Sequence, residues 1–453
     1  MRSSLVMITS SKPARLLAAA ALAVTALCAG QIAPVQATTA AVAAPEIPDT
    51  PAGRQLRWLL DAAARPPIPE SELRQHFTAE FLQSVPADRL NQTLTAFKGM
   101  RLQELTRSES TQLVATVEAA GALLDLSLTT DGAGLVVGLL FRQHVSSAPK
   151  DWAELDQRLS RLAPQAGFIA AEVTKDGACR PVHSVAPGTA RPLGSMFKLY
   201  VLGAVAERIA SGAFGWDTQL TITPELKSLG SGELQNRPDN SKVSVLEAAK
   251  LMISVSDNTA ADLLIHRAGR KNVERTARAW GARDQRDTPW LTTREMFVLK
   301  GANYPRYARK YLSLGTAGQR AYLDRVVAKV PLSRVAGWTA PRGLDALEWY
   351  ASPTEVCQAF SRLSKLPDKH VGKALSISDA GLALDKAQWP SVWFKGGSEP
   401  GVSDLGYLAR TADGRSFVVT VLAIDPKTPF DQARTLSEQL GLTRGAFTLV
   451  KGS

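Results

Sequence analysis

The chain has 453 residues, of which 45% are hydrophobic, and carries a formal charge of +11. A chain of this length buries a large core and is typical of two domains. Its basic residues are scattered, without a Lys/Arg block or interleaved aromatic residues, which argues against a nucleic-acid-binding protein. The five histidines are spread out, and no Cys/His cluster has the spacing of metal ligands, so we expect neither a metal nor another cofactor.

The N-terminus predicts export. Three basic residues precede the apolar run LLAAAALAVTALCAG, and small residues follow it up to Ala37. This order is typical of a secretory signal peptide, here residues 1–37. A membrane anchor is the weaker alternative, because the apolar run is shorter than the ~20 residues that a spanning helix needs. We expect a secreted or cell-envelope protein without an integral membrane segment after cleavage.

Cleavage would remove three basic and no acidic side chains, lowering the formal charge from +11 to +8. That charge is compatible with association with anionic cell-wall polymers. Two cysteines would remain, Cys179 and Cys357. Export permits a disulfide between them, and two separate buried thiols are the alternative.

The next segment predicts a small α+β domain over residues 53–147, after a disordered, Ala/Pro/Thr-rich leader over residues 38–52. Three stretches have apolar residues at helical spacing: RQLRWLLDAAA, ESELRQHFTAEFLQSV and ADRLNQTLTAFKGM. Four strand-like runs follow, RLQELTRSES, TQLVATVEAA, ALLDLSLTT and GLVVGLLFRQHV. Helices before a meander of strands resemble the NTF2-like or cystatin-like fold in the order of elements alone.

The second domain, residues 148–453, begins and ends with strands. The helix DWAELDQRLSRLA leads to two strands in GFIAAEVTKDGACRPVHSV, a long helical region follows, and the runs SVWFKGG and LGYLARTADGRSFVVTVLAID come last. Its sheet must therefore join both ends of the segment, with the helices packed against it.

A serine and a lysine stand three positions apart where the apolar helix MFKLYVLGAVAERIA begins. Residues at i and i+3 share a helix face, so Lys198 can reach the Ser195 hydroxyl. A buried lysine with a lowered pKa can act as a general base, which makes Ser195 a candidate nucleophile. The alternative is an N-cap serine beside a solvated lysine. The pair Ser147 and Lys150 has the same spacing, but Pro149 separates its members in a linker.

Two further motifs favour the catalytic interpretation. The triplet SDN interrupts the apolar run KLMISVSDNTAADLLI and predicts a buried turn between two helices. There Ser256 could relay a proton, Asn258 could bind a substrate amide, and Asp257 would cap the local backbone. In KGGS, after the strand-like run SVWF, Lys395 could bind a substrate carboxylate, and glycine permits close approach to the backbone.

Together these motifs resemble the penicillin-recognising serine hydrolases, β-lactamases and D,D-peptidases, over roughly residues 150 to 450. The resemblance implies a β-lactamase-like domain, an antiparallel sheet with flanking helices and an all-helical subdomain. It implies Ser195 as the acylated nucleophile, Lys198 as its base and Ser256 as the proton shuttle. Asn258 and Lys395 would bind the substrate. The oxyanion hole would use the backbone N–H of the nucleophile and one near Ser398.

The sequence departs from that family in two respects. Gly396 stands where threonine or serine is usual, so one hydroxyl ligand is missing and Ser398 is the candidate replacement. No E-x-x-L-N motif follows SDN, and Glu295 is better explained as the capping box of the helix REMFVLK than as a deacylating base.

A closer similarity is to an actinobacterial group that contains the β-lactamase-like protein of the clavulanic-acid cluster. It implies that Phe394 lines the pocket, the alternative being a strand residue facing the core. We therefore expect a serine hydrolase, slow on β-lactams, whose substrate is a β-lactam, an ester or a D-Ala-type peptide. A D,D-peptidase or esterase, or a penicillin-binding sensor or sequestering protein without turnover, are the alternatives.

Overall fold

The computed structural model describes residues 6–9 and 45–451. The chain forms two compact units, one extending to Val145 and including residues 432–437, the other comprising residues 146–431 and those from Glu438 onward. The predicted signal peptide and the first part of the leader lie almost entirely outside the described residues. Among those described, none of the helices combines the length and apolar character needed to cross a membrane.

The N-terminal unit contains four helices and a five-stranded antiparallel sheet, four of whose strands follow the helices in the chain. The helices are α1 (Pro51–Ala64), α2 (Glu70–His76), α3 (Ala79–Ser84) and α4 (Ala87–Ala96). The strands are β1 (Val6–Thr9), β2 (Arg101–Ser108), β3 (Gln112–Ala119), β4 (Ala122–Thr130) and β5 (Val136–Gln143), in the spatial order β1-β5-β4-β3-β2. The predicted order of helices before a strand meander is confirmed.

The expected helix over residues 70–85 is two helices. The helix α2 ends before Phe77, and the Thr78 side chain accepts a hydrogen bond from the Phe81 backbone N–H at 3.2 Å, so that it caps α3. The break lets Phe77 and Phe81 stack on one another in the core, with ring centroids 4.7 Å apart. Alternation along β4 turns Leu126 and Leu128 into the same core.

The C-terminal unit is built on a second antiparallel sheet. Its strands are β6 (Gln165–Val173), β7 (Cys179–Val185), β12 (Ser391–Glu399), β13 (Val402–Arg410) and β14 (Ser416–Ile424), in the order β12-β13-β14-β6-β7. The strand β14 pairs with β6 over nine residues, so the first and last parts of the unit share one sheet, as predicted. Both units mix helices with antiparallel strands, which confirms the α+β class.

The remaining helices and short strands flank the sheet. The helices are α5 (Trp152–Leu162), α6 (Lys198–Ala210), α7 (Val245–Ser254), α8 (Asn258–Ala268), α9 (Arg270–Ala279), α10 (Thr293–Gly301), α11 (Arg306–Leu312), α12 (Thr316–Arg325), α13 (Pro353–Lys365), α14 (Lys369–Leu375) and α15 (Gln432–Leu449). The short strands are β8 (Arg191–Pro192), β9 (Gln219–Thr221), β10 (Lys242–Ser244) and β11 (Tyr350–Ala351). Helix α5 precedes β6, α15 follows β14, and the others lie between β7 and β12.

The two cysteines left open by the sequence form a disulfide. Cys179 at the start of β7 is bonded to Cys357 in α13, with their Cα atoms 6.3 Å apart and a sequence separation of 178. The bond therefore ties the edge strand β7 to a helix that packs on the sheet.

Candidate active site

Ser195 lies in a single turn of 3-10 helix, Gly194–Phe197, that leads directly into α6. The turn is tighter than the α-helix start expected from the sequence. It needs glycine at position 194, which has φ +46°, and a Cβ there would lie 2.9 Å from the backbone nitrogen of Ser398. The Ser195 turn is thus pressed against the end of β12.

Lys198 is completely buried and contacts both predicted hydroxyl groups. Its Nζ lies 3.1 Å from Ser195 Oγ and 3.2 Å from Ser256 Oγ. It also donates to the Ser256 carbonyl oxygen at 2.6 Å and to Asn258 Oδ1 at 2.7 Å. The structure therefore brings these four predicted residues together around one amine.

Burial lowers the pKa of Lys198 from its usual 10.5 to about 7, although the carboxylates of Asp257 and Asp262 oppose the shift. The two shortest contacts of Nζ are to oxygens that can only accept a hydrogen bond, the Ser256 carbonyl and the Asn258 amide oxygen. A neutral amine has two N–H groups, and these two acceptors use both. Its lone pair is then left for the hydroxyl protons of Ser195 and Ser256.

Ser256 stands at the turn between α7 and α8 in a left-handed conformation, with φ +57°. Such a conformation is costly for a residue with a Cβ and needs support from its surroundings. Asp257 supplies that support, because it accepts hydrogen bonds from the backbone N–H groups of Ala260 at 2.8 Å, Glu233 at 2.6 Å and Leu234 at 2.9 Å. Asp257 is a capping residue, as its position in the sequence predicted.

Asn258 is buried at the first position of α8. Its amide nitrogen donates to the Leu229 carbonyl at 3.0 Å, while its amide oxygen accepts from Lys198. Both ends of the amide are thus held by the protein, which fixes the orientation of the oxygen that faces the lysine.

Lys395 extends from β12 toward the same serine. Its Nζ donates to Ser256 Oγ at 3.0 Å and to the carbonyl oxygen of Gly396 at 2.6 Å. The side chain is buried, and burial together with the neighbouring Lys198 holds its pKa well below the usual value. Ser256 is therefore bracketed by two lysines, each within hydrogen-bonding distance of its hydroxyl.

The end of β12 approaches the Ser195 turn backbone to backbone. A Cβ built on Gly397 would lie 2.0 Å from the Leu193 carbonyl oxygen and 2.9 Å from the Ser195 nitrogen, so that only glycine fits. The backbone nitrogens of Ser195 and Ser398 therefore lie beside the same contact, and the Ser398 side chain is exposed.

Phe394 does not share the face of β12 that carries Lys395. Side chains alternate along a strand, and the Phe394 ring lies beside its cross-strand partner Tyr407, with centroids 4.8 Å apart. A Cβ on Gly396 would lie 2.9 Å from the tip of that ring. The structure thus brings Phe394 together with Gly396 and Tyr407, and the missing hydroxyl at position 396 coincides with space that the phenyl ring fills.

The acidic side chains around the SDN turn already have hydrogen-bond or ion-pair partners within the protein. Glu295 forms the predicted capping box with Thr292, and its carboxylate also makes a bidentate pair with Arg270 at 2.6 and 2.8 Å. Asp262 accepts two bonds from Thr293, at 2.7 and 2.9 Å, and one from the Arg294 N–H at 2.8 Å. Across residues 6–9 and 45–451, no three His, Cys, Asp or Glu side chains group as metal ligands would.

Sequence reasoning missed the segment that supports the Ser195 turn from behind. The Leu193 N–H donates to the Trp349 carbonyl at 2.8 Å, and the Trp349 indole stacks on Phe197 with ring centroids 3.7 Å apart. The segment carries no motif, and more than 150 residues separate it from Ser195, so that only the folded chain reveals the contact.

Comparison with known proteins agrees with this architecture. Residues 154–324 match the β-lactamase enzyme family, and residues 47–136 match the family of the N-terminal part of the ORF 12 gene product. The β-lactamase regulatory protein BlaB of Streptomyces cacaoi is 27% identical over 261 residues, which cover 54% of this chain and 80% of that protein.

Solved structures are similar at lower identity. PBP-A is 17% identical with a TM-score of 0.45, covering 68% of this chain and all of that chain. The class A β-lactamase of Mycobacterium abscessus is also 17% identical with a TM-score of 0.45, covering 66% and 99% of the two chains. The family match and the BlaB relative give the chain a penicillin-recognising, β-lactamase-like fold behind a separate N-terminal domain.

Proposed function

We propose that this chain, with its penicillin-recognising fold, is an exported serine hydrolase that becomes acylated on Ser195. The observation that carries the proposal is the environment of Lys198. A buried amine with a pKa of about 7, its N–H groups turned toward two carbonyl-type oxygens, presents a lone pair beside the Ser195 hydroxyl. Fold alone does not establish an activity, and this geometry supplies the chemical support.

Acylation would proceed by attack of Ser195 Oγ on the carbonyl carbon of a lactam or ester, with the hydroxyl proton passing to Lys198 Nζ. The carbonyl oxygen becomes an oxyanion, which the backbone N–H groups of Ser195 and Ser398 would stabilise. Collapse breaks the bond to the leaving nitrogen or oxygen. Ser256 would give its proton to that leaving atom and take one from the Lys198 ammonium, 3.2 Å away, so that the lysine returns to its neutral form.

Turnover of the acyl-enzyme would be slow. Hydrolysis needs a base that activates water, and the acidic side chains nearest the SDN turn are held by backbone N–H groups or by an arginine. Burial raises the pKa of Asp262 to about 7, but its carboxylate is enclosed by the protein and already accepts three hydrogen bonds, which leaves little room for a water molecule.

The test is mass spectrometry of the protein after incubation with a penicillin, a cephalosporin, a small ester and a D-Ala-D-Ala peptide. We expect an adduct on Ser195 that accumulates faster than it is lost. Ser195→Ala should abolish it, and Lys198→Ala should slow it by roughly 10²–10⁴-fold, the contribution typical of a general base.

The matched controls are Ser147→Ala and Lys150→Ala, which alter a pair of the same spacing and should change nothing. Equal labelling of Ser195→Ala and the unaltered protein would contradict the assignment of the nucleophile. Rapid hydrolysis of a penicillin without a detectable adduct would contradict slow deacylation.

A penicillin-binding sensor or sequestering protein is the second candidate, favoured by the occupied carboxylates and by a relative named a β-lactamase regulatory protein. The lifetime of the adduct separates the two functions. Loss of the acyl group within minutes, with release of a hydrolysed product, indicates an enzyme, whereas an adduct that persists for hours indicates a sensor.

Export is tested separately by the N-terminal sequence of the mature protein. Cleavage near Ala37 and recovery outside the cytoplasm would support it, and an intact N-terminus on cytoplasmic protein would contradict it.

A further inference from the structure

A buried ionic triad lies at the end of β12, away from the lysines that contact Ser256. Lys300, near the end of α10, is completely buried, and its Nζ contacts Oε1 of Glu348 and Oε1 of Glu399, each at 2.6 Å. The side chains of Glu348 and Glu399 are 1% and 10% exposed. Buried charges are costly unless they are paired, so that a triad retained here calls for an explanation.

Two members of the triad are joined directly to the Ser195 region. Glu399 is the neighbour of Ser398 in β12 and shares a strand face with Gly397, which packs on the Leu193 carbonyl. Glu348 precedes Trp349, whose carbonyl holds Leu193 and whose ring stacks on Phe197. The segment that holds Leu193 and Phe197 is therefore tied, through Glu348, to the same lysine that binds Glu399, the residue after Ser398.

The third member reaches the SDN turn through α10. Lys300 is near the C-terminal end of this helix, and Thr293 is its first residue. The Thr293 hydroxyl lies 3.3 Å from the Asn258 carbonyl, and its N–H donates to Asp262 of α8 at 2.7 Å. The triad thus connects the three segments that carry Ser195, Ser398 and Asn258.

One additional proton would balance the charges of the triad. Each carboxyl group gives one oxygen to Lys300, while Oε2 of Glu348 and Oε2 of Glu399 have no hydrogen-bond partner within the described chain. Two carboxylates beside one ammonium leave a buried negative charge in excess, and one proton on Glu399 would neutralise it. Burial and the neighbouring Glu348 raise the pKa of Glu399 well above its usual value, in agreement with a protonated acid.

We propose that Lys300, Glu348 and Glu399 are positioning residues of the acylation site: they fix the end of β12 against the Ser195 turn and so place the Ser398 N–H where the oxyanion forms. The inference rests on the proposed function for its chemical consequence. Its structural part, that Glu399 holds β12 in place, can be measured without any acylation.

The experiment compares Glu399→Gln with Glu399→Ala. Glutamine is neutral and keeps both a donor toward Glu348 and an acceptor for Lys300, whereas alanine removes the link. With Glu399→Ala we expect faster amide hydrogen exchange in residues 393–399 and 193–198, and acylation at 25 °C slower by about 10- to 100-fold, as for a misplaced transition-state donor. Glu399→Gln should leave exchange unchanged and acylation within about threefold.

The matched control is Glu438→Gln, which breaks the partly buried ion pair with Arg158 between α5 and α15. It should lower the melting temperature and leave exchange in β12 and acylation unchanged. Unchanged exchange in Glu399→Ala overturns the inference whether or not the protein is acylated. So does a folded Glu399→Ala protein that is acylated at the rate of the unaltered protein. A protein in which no variant, nor the unaltered chain, forms an adduct contradicts the proposed function instead, while the exchange data still decide the structural part.

Discussion

At the residue scale, the chemistry of the site depends on what surrounds a single amine. The i, i+3 spacing of Ser195 and Lys198 was readable in the sequence, and so was the apolar context that lowers the pKa of the lysine. The two oxygens that take its N–H groups were not, because one is a backbone carbonyl in a left-handed turn. A backbone conformation of that kind is set by the capping bonds of Asp257, which sequence spacing does not specify.

The pKa of Lys198 predicts how acylation depends on pH. Below pH 7 the amine is protonated and has no lone pair for the Ser195 proton, so that the rate should fall about tenfold per pH unit. Above pH 7 the amine is neutral, and protonation of Lys198 should no longer limit the acylation rate. Adduct formation followed from pH 5 to 8, with melting curves confirming the fold at each pH, measures the effect. A rate that stays constant over this range would show that Lys198 is not the base.

At the element scale, β12 can approach the Ser195 turn closely because Gly397 has no side chain. The sequence predicted the strand, but it did not predict the surroundings of Phe394. Alternation places it opposite Lys395, beside Tyr407 and over Gly396. Both the phenylalanine and the unusual glycine are visible in the sequence, but only the fold shows that the ring fills the space next to position 396.

Gly397→Ala should displace β12 from the Ser195 turn, because the new Cβ would overlap the Leu193 carbonyl. We expect a destabilisation of about 1–3 kcal/mol from overpacking. Acylation should slow by about 100-fold as the oxyanion donors separate. The control is Gly188→Ala, at an exposed position with open space around its Cβ, which should alter neither quantity. Denaturant unfolding and the adduct time course provide the two measurements, and normal acylation in Gly397→Ala would refute the close-approach argument.

Glu295→Gln distinguishes a capping residue from a deacylating base. Removing the charge leaves Arg270 without its nearly buried partner, and we expect a loss of about 3 kcal/mol in the free energy of unfolding. The adduct lifetime should stay the same, since this carboxylate is already occupied. A lifetime at least tenfold longer in the variant would instead show that Glu295 activates water.

At the scale of the whole molecule, the C-terminal unit is assembled from segments that are far apart in sequence. The sequence predicted that strands from both ends would share a sheet, because neither group could bury its apolar faces alone. It could not decide whether Cys179 and Cys357 pair, since two cysteines are compatible with a disulfide or with two separate thiols. The distance between β7 and α13 in the folded unit decides it.

Reduction of this disulfide should destabilise the C-terminal unit mainly by increasing the conformational entropy of its unfolded state. A loop of 178 residues corresponds to roughly 5 kcal/mol by the chain-entropy relation. Melting curves with and without a reductant should show a large shift in the unaltered protein and none in the Cys179→Ser/Cys357→Ser double variant. Equal melting temperatures for oxidised and reduced protein would contradict the expectation.

The phenyl ring over Gly396 has a consequence for selectivity between acidic and neutral substrates. A hydrogen bond to a charged group contributes about 1.5–3 kcal/mol, so a pocket without a hydroxyl at position 396 gives up roughly 10- to 100-fold of preference for a carboxylate. A penicillin and its methyl ester should therefore be acylated at similar rates by this protein. Gly396→Thr combined with Phe394→Ala, which removes the ring and supplies the hydroxyl, should favour the free acid. The ring would then set how far this site tolerates uncharged esters.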